Sequence, residues 1–553
     1  MVEPFETEDL PSFDTHAVTN QPPPYADVDL YGSDRPLRDA VRVFGSDRDD
    51  EGLVEFGRRW GAAEMFDLAR QANDQPPRLS IFDARGFRAD TVEFHPAYHR
   101  LMAESMSAGL HCMTWDEAGR PLPTELARAA RYHMVGQVEN GHMCPITMTR
   151  AAVAALAAAP EVMAQVLPLI RGRRYDARFV PWRDKTAITL GMGMTEKQGG
   201  TDVRANTTRA LRDGDTYSII GHKWFMSAPM SDAFLVLAQA DGGLTCFLMP
   251  RFRPDGAVNG LRFQRLKDKL GNRSNASSEV EFVDAFAWRV GEEGRGVRTI
   301  LRMVQLTRLD CAIASGGLMR AALARALHHA RHRAVFGRLL IDQPLMRNLL
   351  ADMALEVEAA TALVMRLCRS FDRGNDPAET ARMRLLTPIA KYWVCKIAPG
   401  FAYEAMECLG GNGYVEESPL ARLYREAPVN AIWEGSGNVI CLDVLRGIAR
   451  EPEAAQAVMT ALGRETAALP GAAKLLTEAQ AMLRSETAEA SARAIVERLT
   501  KVAAAAALAA SAPAAVADAY ARTRLEHPQE SLWGSAQFTE IECKLLLERA
   551  AGD

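Results

Sequence analysis

The sequence predicts an α+β fold that is mostly helical, with one β domain in the middle of the chain. On both sides of that domain apolar residues recur at helical spacing, as in Val162, Met163 and Val166. Between residues 187 and 295 the pattern changes to short β-branched or aromatic runs bounded by Asp-Gly and Gly-Gly turns. With 553 residues, 48% of them hydrophobic, the chain can bury a large core and divide into three or more domains.

Five intervals differ in composition, and we interpret them as an arm and four domains. Residues 1–50 contain Gln21-Pro22-Pro23-Pro24 and several Asp and Gly residues, which favour an extended arm over a packed core. The others are predicted to be an N-terminal helical domain, a middle β domain, a four-helix bundle and an appended C-terminal helical domain: 51–186, 187–295, 296–450 and 451–553.

Local patterns predict the individual elements in the order of the chain. Aromatic and β-branched runs predict four strands in the β domain, at 216–220, 234–238, 245–249 and 280–283. Long apolar periodicity predicts three helices in the bundle, at 299–331, 346–369 and 382–407. The last interval is alanine-rich and amphipathic, which predicts further helices interrupted at Pro470-Gly471 and Pro513.

Charge and cysteine usage narrow the function classes. Aspartate and glutamate number 70 against 65 lysines and arginines, so the net charge is −5 and nucleic-acid binding would need a local basic patch. The nine cysteines are scattered and never spaced C-x-x-C, which argues against a disulfide framework or structural zinc. We find neither a signal-peptide pattern nor a run of membrane-span length, and therefore expect a soluble cytoplasmic protein without membrane contact.

The segment GMGMTEKQGGTD, residues 191–202, stands at the start of the β domain. Its glycines would let the backbone approach a flat or charged ligand, and Thr195 and Thr201 add hydroxyl groups. A plain glycine-rich turn is the alternative interpretation. The segment is not a dinucleotide fingerprint, because Glu196 replaces the third glycine and no helix follows.

Four further motifs follow in a fixed order. GHKWFMS at 221–227 is an aromatic strand that ends in a hydroxyl group, suited to lie beside a flat ring. RAVFG at 333–337 ends a long helix with a fixed cation, suited to a pyrophosphate. LGGNGY at 409–414 is a second loop that allows close approach, and WEGSGN at 433–438 places a carboxylate before a flexible turn.

At these five motifs the sequence resembles the acyl-CoA dehydrogenases, whose patterns are T-E-x-x-x-G-[ST]-D, G-x-K-x-[WF]-[IM]-[TS], R-x-x-F-G, L-G-G-x-G-[YF] and [YW]-E-G-[TS]. Residues 145–149, 194–202 and 267–277 are similar to the AidB branch, the adaptive-response proteins of bacteria. The Asn20-Gln21-Pro22 arm and the extra C-terminal helical domain are similar to that branch as well. The resemblance implies the acyl-CoA dehydrogenase fold, FAD as cofactor and assembly as a homotetramer.

The resemblance also implies the cofactor contacts. The flavin of the same subunit would meet residues of the β domain, namely Met194, Thr195, Thr201, Phe225, Met226 and Ser227. FAD held mainly by a neighbouring subunit would meet Arg333, Phe336, Gly410 and Gly411. The turn that approaches the flavin ring would consist of Trp433, Gly435, Ser436, Gly437 and Asn438, around Glu434.

Glu434 matches the commonest catalytic base of the family. The resemblance implies that it takes the α-proton of a fatty acyl-CoA thioester while a hydride leaves the β-carbon for FAD. In other branches the base sits on a helix, at the position that Thr307 occupies here beside Arg308, which leaves Glu434 as the candidate. The alternative is a carboxylate that only caps the turn at 435–437.

Some positions depart from the family pattern. Residues 197–200 read Lys-Gln-Gly-Gly instead of Pro-Gly-Ala-Gly, and Pro344 and Arg347 replace the usual glutamines, which weakens the match to ordinary CoA-ester binding. His328 and His332 are four residues apart on one helix and could face a metal together. No third ligand is evident, so a surface pair without metal is predicted.

Two functions remain open, with a flavin-bearing scaffold of neither activity as a third hypothesis. The first is acyl-CoA dehydrogenation with electrons passed from reduced FAD to an acceptor protein. The second, from the AidB resemblance, is a flavoprotein of the DNA alkylation response with little dehydrogenase activity and weak, sequence-independent binding to duplex DNA.

Residues 441–553 carry 12 Lys plus Arg against 15 Asp plus Glu, net charge −3, so a basic patch would require arginines clustered on one face. A solvated surface is the preferred interpretation of the candidates for such a patch, which are Arg446, Arg450, Arg493, Arg498, Arg522 and Arg524.

Overall fold

The computed structural model describes residues 15–46, 48–115, 124–526 and 532–552. It has an α+β fold that is mostly helical, with helices on both sides of a β domain, as the sequence predicts. The first 14 residues of the predicted arm lie outside the described residues. No described helix combines the length and apolarity needed to cross a membrane.

Helices and one hairpin precede the β domain. The helices are α1 Arg35–Phe44, α2 Leu53–Trp60, α3 Ala63–Asp74, α4 Pro96–Ser107, α5 Glu125–Gly136, α6 Met143–Leu156 and α7 Pro160–Ile170. The antiparallel hairpin consists of β1 Arg78–Phe82 and β2 Arg88–Glu93. The prediction of an extended arm up to residue 50 is wrong for α1, which buries Leu37, Val41 and Phe44 at helical spacing.

The β domain contains seven described strands. They are β3 Leu190–Gly193, β4 Arg209–Asp213, β5 Thr216–Ser227, β6 Ala233–Ala240, β7 Gly243–Pro250, β8 Leu261–Leu266 and β9 Ser277–Val290. Pairing runs from β4 through β5, β9, β7 and β6 back to β4, so these strands close on themselves around a core of their own. The four predicted strands lie within β5, β6, β7 and β9 and are confirmed.

The helical bundle follows the β domain. Its helices are α8 Gly296–His332, α9 Pro344–Asp372, α10 Pro377–Cys408, α11 Gly411–Tyr414, α12 Pro419–Ile432 and α13 Gly437–Arg450. A short hairpin of β10 Ala334–Val335 and β11 Arg338–Leu339 joins α8 to α9. The three predicted long helices are confirmed and extend beyond their predicted limits, with proline in the first turn of α9 and α10.

The remaining helices pack onto the bundle. They are α14 Pro452–Glu465, α15 Ala472–Leu483, α16 Ala492–Ser511, α17 Ala514–Tyr520 and α18 Glu540–Ala551, with a π-helical segment Ala521–Glu526 after α17. Their apolar faces join one hydrophobic core that also contains residues of α1 to α6 and of the bundle. The C-terminal helices therefore continue the bundle core and do not form a separate one.

Candidate functional site

A buried carboxylate shapes the loop at 194–202. Glu196 is fully buried and forms an ion pair of 2.8 Å with Lys223, whose side chain is also fully buried. The Glu196 oxygens also accept hydrogen bonds from the backbone N–H groups of Thr207 and Thr208, at 2.7 and 3.1 Å. The residue that interrupts the dinucleotide fingerprint is therefore the anchor of this loop.

The anchored loop brings hydroxyl groups to its surface. The carbonyl of Thr195 accepts a hydrogen bond of 2.8 Å from the backbone N–H of Trp224, which joins the loop to β5. A Cβ atom at Gly200 would lie 2.5 Å from Thr195 Oγ1, so glycine is needed for the loop to close over this threonine. Thr201 is exposed, and Met194 is partly buried.

Strand β5 presents alternate side chains to its two faces. Phe225 is 50% exposed, and Ser227 Oγ, at the end of β5, lies 3.0 Å from Ser277 Oγ of β9. Met226 is completely buried in the barrel core. The prediction of a cofactor contact is therefore wrong for the Met226 side chain, because alternation along a strand turns it to the opposite face from Phe225 and Ser227.

The segment 267–277 lies beside the exposed end of β5. Lys267 Nζ is 3.2 Å from the ring centre of Trp224 and 4.7 Å from that of Phe225. Lys269 Nζ donates a hydrogen bond of 2.6 Å to a backbone carbonyl of the same segment, and burial lowers the pKa of Lys269 to about 8. Lys267 Nζ also pairs with Glu279 at 2.5 Å, so its charge is partly neutralised where it lies over the aromatic rings of β5.

The turn around Glu434 is held by two cations. Lys391 Nζ donates to the carbonyls of Trp433 and Gly435 at 2.8 and 2.6 Å, and Arg308 Nε donates to the carbonyl of Glu434 at 3.1 Å. Glu434 has a φ of 58°, a left-handed conformation that a non-glycine residue rarely adopts. Lys391 is 1% exposed. Three successive carbonyls are therefore fixed around a strained residue, as is common in functional sites.

The Glu434 carboxylate points to helix α8. Thr307 Oγ1 donates a hydrogen bond of 2.7 Å to Glu434 Oε2, and among the described residues Oε1 receives none. Burial raises the pKa of Glu434 above its usual value, while the Thr307 hydrogen bond and the charges of Arg308 and Lys391 oppose that rise. The contact with Thr307 disfavours the alternative in which the carboxylate only caps its own turn.

Cys144, at the start of α6, links the strand and the turn. Burial raises the pKa of the Cys144 thiol to about 12; hydrogen bonds from Asn275 and Ser227 act in the opposite direction, and the charge of Glu434 adds to the rise. Cys144 belongs to a hydrophobic cluster against which both Met194 and Trp433 pack. The loop at 194–202 and the carboxylate turn consequently face one region of the molecule.

A cavity of about 560 Å³ opens beside this turn, between α8, α10, α13 and the start of α14. Its walls include the apolar side chains of Leu301, Phe371 and Met383. Arg308 lines the cavity and also holds Glu434, so the cavity and the turn share a residue. The lining contains five arginines, which are Arg302, Arg308, Arg384, Arg446 and Arg450.

Carboxylates neutralise only part of this positive lining. Asp443 pairs with Arg308 at 2.6 Å and Glu451 pairs with Arg384 at 3.1 Å. Within the described ranges of the chain, the other three arginines of the cavity form no ion pair. An apolar cavity with unpaired guanidinium groups suits an amphiphilic anion.

The hairpin after α8 and the glycine loop after α10 are open to solvent. Phe336, at the tip of the hairpin, is 100% exposed and has a φ of 51°. Gly410 has a φ of 60°, and added Cβ atoms at Gly410 and Gly411 would meet no heavy atom within 4 Å. These residues offer an aromatic ring and bare backbone to a ligand or a second chain.

Arg333 is far from the Glu434 turn in the same chain. Thr307, which contacts Glu434, lies on α8, and Arg333 is the residue that ends this helix. Their 26-residue separation in the sequence corresponds to about 39 Å along a helix. The structure thus divides the predicted site residues into two groups, one in the β domain and the Glu434 turn and one at the far end of α8.

The residues that follow Glu434 begin helix α13. Ser436 is its N-cap residue, and Gly437 and Asn438 form its first turn. Asn438 Oδ1 accepts a hydrogen bond of 2.8 Å from Arg493 Nε, so the polar end of the turn is tied to helix α16.

The six arginines considered for a basic patch do not form a single one. Arg524 is 2% exposed and forms buried ion pairs with Asp352 and Glu356 of α9. Arg498 and Arg522 form ion pairs of 2.9 and 2.6 Å with glutamates of neighbouring helices. Arg524 is therefore neither part of a basic patch nor a solvated surface group, because its guanidinium pairs inward with α9.

The sequence interpretation missed three residues that shape this site. Lys391 was not singled out, although it is the only charge in the apolar stretch at 385–394, which is the signal that could have identified it. Lys267 belongs to a segment noted only for its family likeness. Thr307 was considered only because it occupies the position of the catalytic base in other branches. Its hydrogen bond to Glu434 could not be predicted from the positions of the two residues in the sequence.

Three family models match successive parts of the chain. The adaptive response protein AidB N-terminal domain matches residues 20–177. The middle domain of acyl-CoA dehydrogenases matches residues 191–285, and their C-terminal domain matches residues 294–449.

Similar proteins are found among both sequences and structures. AidB of Escherichia coli (strain K12) is 52% identical over 442 residues, which are 78% of this chain and 80% of that protein. The crystal structure of Caenorhabditis elegans ACDH-11 in complex with C11-CoA has a TM-score of 0.84 at 28% identity, covering 97% of each chain. An acyl-CoA dehydrogenase complexed with FAD from Bacillus anthracis shares the fold, with a TM-score of 0.64 at 17% identity over 82% of this chain and 81% of that one. The chain therefore belongs to the acyl-CoA dehydrogenase family, in its AidB branch.

Proposed function

We propose that the protein is an FAD-dependent acyl-CoA dehydrogenase that removes two hydrogens across the α,β bond of an acyl-CoA thioester. The observation that carries the proposal is the Glu434 turn, in which Lys391 and Arg308 hold three carbonyls and Thr307 orients the carboxylate. Such restraint suits a group that must meet one substrate atom.

The residues present fit FAD as the cofactor. The half-exposed ring of Phe225 and the hydroxyl group of Ser227 provide a flat and polar surface for a flavin of the same subunit. Thr195 and Thr201 add hydroxyl groups from the anchored loop. Arg333 supplies a guanidinium for the pyrophosphate of FAD held by a neighbouring subunit.

In the reaction, Glu434 takes the proton from the α-carbon, and the pair of electrons left behind forms the new double bond. FAD, when bound, accepts the hydride that leaves the β-carbon. Oε1 is the oxygen that takes the proton, because Oε2 already accepts the hydrogen bond from Thr307. Burial raises the pKa of Glu434 and so strengthens the carboxylate as a base.

The arginine-lined cavity is the proposed site for the CoA part of the substrate. CoA carries phosphate groups on an otherwise long and partly apolar molecule, and Arg302, Arg446 and Arg450 offer unpaired guanidinium groups at an apolar wall. Arg308 connects this cavity to the Glu434 turn, so a thioester bound there has its acyl end near the base. The C. elegans relative crystallised with C11-CoA supports this class of ligand.

The functional assembly is proposed to be a homotetramer, with an electron acceptor protein reoxidising FAD. The exposed Phe336 and the open Gly410 and Gly411 support a shared FAD site, because a single chain leaves them uncovered. Pairing of subunits would bury these residues against the neighbour's cofactor.

The test is anaerobic bleaching of the flavin absorbance by saturated acyl-CoA esters of increasing chain length. Glu434→Gln keeps the shape and the hydrogen bond to Thr307 but cannot accept a proton, so bleaching should slow by about 10³-fold while FAD stays bound. Equal bleaching rates in the two proteins would remove Glu434 from the reaction. A wild-type protein that holds FAD but is bleached by no acyl-CoA would refute the proposed activity.

The alternative, a DNA-associated flavoprotein of the alkylation response, is favoured by one observation. Arg446 and Arg450 are exposed and form no ion pair with any residue in the described segments. They also line the proposed CoA cavity, so the two functions compete for the same groups. Duplex binding through them would be weak and would fall steeply with salt.

A further inference from the structure

The N-terminal arm lies along the far end of helix α8. The ring of Tyr25 meets the ring of His328 edge-on with centres 5.4 Å apart, and the guanidinium of Arg325 lies 5.2 Å from the Tyr25 ring centre. His328 Nε2 donates a hydrogen bond of 2.8 Å to the carbonyl of Pro23. The arm is therefore held on α8 by an edge-on ring contact, a cation–π contact and a hydrogen bond.

These contacts also give the histidine pair a role. His332 Nδ1 donates to the carbonyl of His328 at 2.7 Å, while His328 holds the arm. In the described part of the chain, no group of three or more His, Cys, Asp or Glu side chains could hold a metal ion.

Asn20 continues the arm onto the hairpin that follows α8. Its side-chain amide makes two hydrogen bonds of 2.8 Å with one residue, donating to the carbonyl of Ala334 and accepting from its N–H group. The carbonyl of Asn20 accepts a hydrogen bond of 2.6 Å from Arg333 Nη1. One residue of the arm thus fixes both the backbone after Arg333 and one end of its guanidinium.

The conformation of Asn20 explains why this residue type stands there. Its φ is 56°, in the left-handed region that asparagine tolerates better than most residues. Its amide has the donor and the acceptor that the two groups of Ala334 require. An arm that only covered α8 would need neither property.

We propose that Asn20 is a positioning residue of the FAD site shared between subunits, acting through Arg333 and the tip of the hairpin at Phe336. The inference rests on the proposed role of Arg333 toward FAD of a neighbouring subunit. The Asn20 carbonyl occupies Nη1 and leaves the other N–H groups of the guanidinium for phosphate oxygens.

The physical basis is preorganisation. A free arginine side chain loses rotamer entropy when it binds a phosphate, and a two-stranded hairpin of four residues has little stability of its own. The Asn20 contacts restrict the Arg333 side chain and stabilise the hairpin before FAD binds, so less free energy is lost on binding. The arm is therefore part of the cofactor site, although it is about 300 residues before the hairpin in the sequence.

The experiment compares FAD affinity after removal and reconstitution of the cofactor in the full-length protein. Asn20→Gly keeps the left-handed backbone and removes the amide, so the Kd for FAD should rise about tenfold. Asn20→Asp keeps the acceptor for the Ala334 N–H group but sets an oxygen against the Ala334 carbonyl and a negative charge beside Arg333, so the Kd should rise at least as much. Gln21→Ala is the matched control, because Gln21 is the exposed next residue and no contact of its side chain is described.

A double-mutant cycle with Arg333→Lys tests whether Asn20 acts through Arg333. If it does, Asn20→Gly should add little to the Kd change that Arg333→Lys already causes. Additive effects, or an unchanged Kd for Asn20→Gly, would overturn the inference while the proposed dehydrogenase activity stands. A wild-type protein that does not bind FAD would overturn both.

Discussion

At Glu434 the backbone is held in a conformation that glutamate does not favour. The left-handed φ places the side chain toward Thr307 on α8, and the neighbouring carbonyls are bound to Lys391 and Arg308. Because buried cations stabilise carbonyl dipoles strongly, the turn persists despite its strain. The position of one carboxylate thus depends on residues from two helices of the bundle.

Lys391→Met should slow flavin bleaching by acyl-CoA by about 10- to 100-fold, because two charge-assisted hydrogen bonds to the turn are lost. The charge of Lys391 also lowers the pKa of Glu434 against the larger effect of burial. Without it that pKa rises further. The base acts when deprotonated, so the fall of the rate on acidification should begin at a higher pH than in the wild type.

The measurement is the bleaching rate as a function of pH, together with FAD content. Lys396→Met is the control, since Lys396 is exposed on the same helix. An acid limb that stays in place, or moves to lower pH, would show that Lys391 does not act on Glu434.

At the scale of elements, helices α8, α10, α13 and α14 build the arginine-lined cavity. Replacing both Arg446 and Arg450 by alanine should weaken binding of free CoA by about 10- to 100-fold, because phosphate contacts are lost. If duplex DNA binds the wild type at low salt, free CoA should displace it, since the same guanidinium groups are used. Isothermal titration and fluorescence anisotropy measure the two effects.

The control is Arg484→Ala, which removes an exposed arginine that does not line the cavity. DNA binding that survives both the double replacement and excess CoA would place any DNA site elsewhere on the protein.

Element prediction worked where a periodic pattern dominates. The long helices and the strands in β5, β6, β7 and β9 follow from apolar spacing and were predictable. Helix α1 was missed because residues 1–50 were interpreted from their overall composition, in which the proline-rich residues before the helix dominate. Met226 was predicted to contact the cofactor because it stands in one motif with Phe225 and Ser227. Successive side chains of a strand point to opposite faces, so the side chain of Met226 points away from those of its two neighbours.

Candidate site residues could be named from the sequence only where a contiguous motif contains them. Glu434 and Arg333 stand in short motifs, whereas Lys391 and Asn20 act through contacts with residues distant in the sequence. Arg524 shows the same limit, because only its ion pairs with α9 reveal that it is buried. Long-range pairing, which a single sequence does not display, decided these cases.

At the scale of the whole molecule, the length of α8 separates the Glu434 turn from Arg333 by about 39 Å. A site completed by a neighbour predicts complementation between two inactive chains. In a mixed dimer of Arg333→Ala and Glu434→Gln chains, one site keeps Glu434 and receives Arg333 from its neighbour. Co-expression should then restore about a quarter of the wild-type bleaching rate, because half of the random dimers are mixed and each has one intact site.

Each variant expressed alone is the control for this experiment, and size-exclusion chromatography with light scattering verifies that both assemble. If Arg333 served FAD of its own subunit, no site in a mixed dimer would be intact. Co-expression would then leave the rate at the level of the single variants.

The ring of Phe336 is completely exposed in the single chain. If the proposed FAD site is shared between subunits, two chains must meet before either holds FAD fully, and the state of the cofactor then depends on protein abundance. By mass action, dilution then releases FAD more steeply than simple one-to-one binding would, and added FAD promotes association. Flavin content would thus report how much of this protein a cell contains.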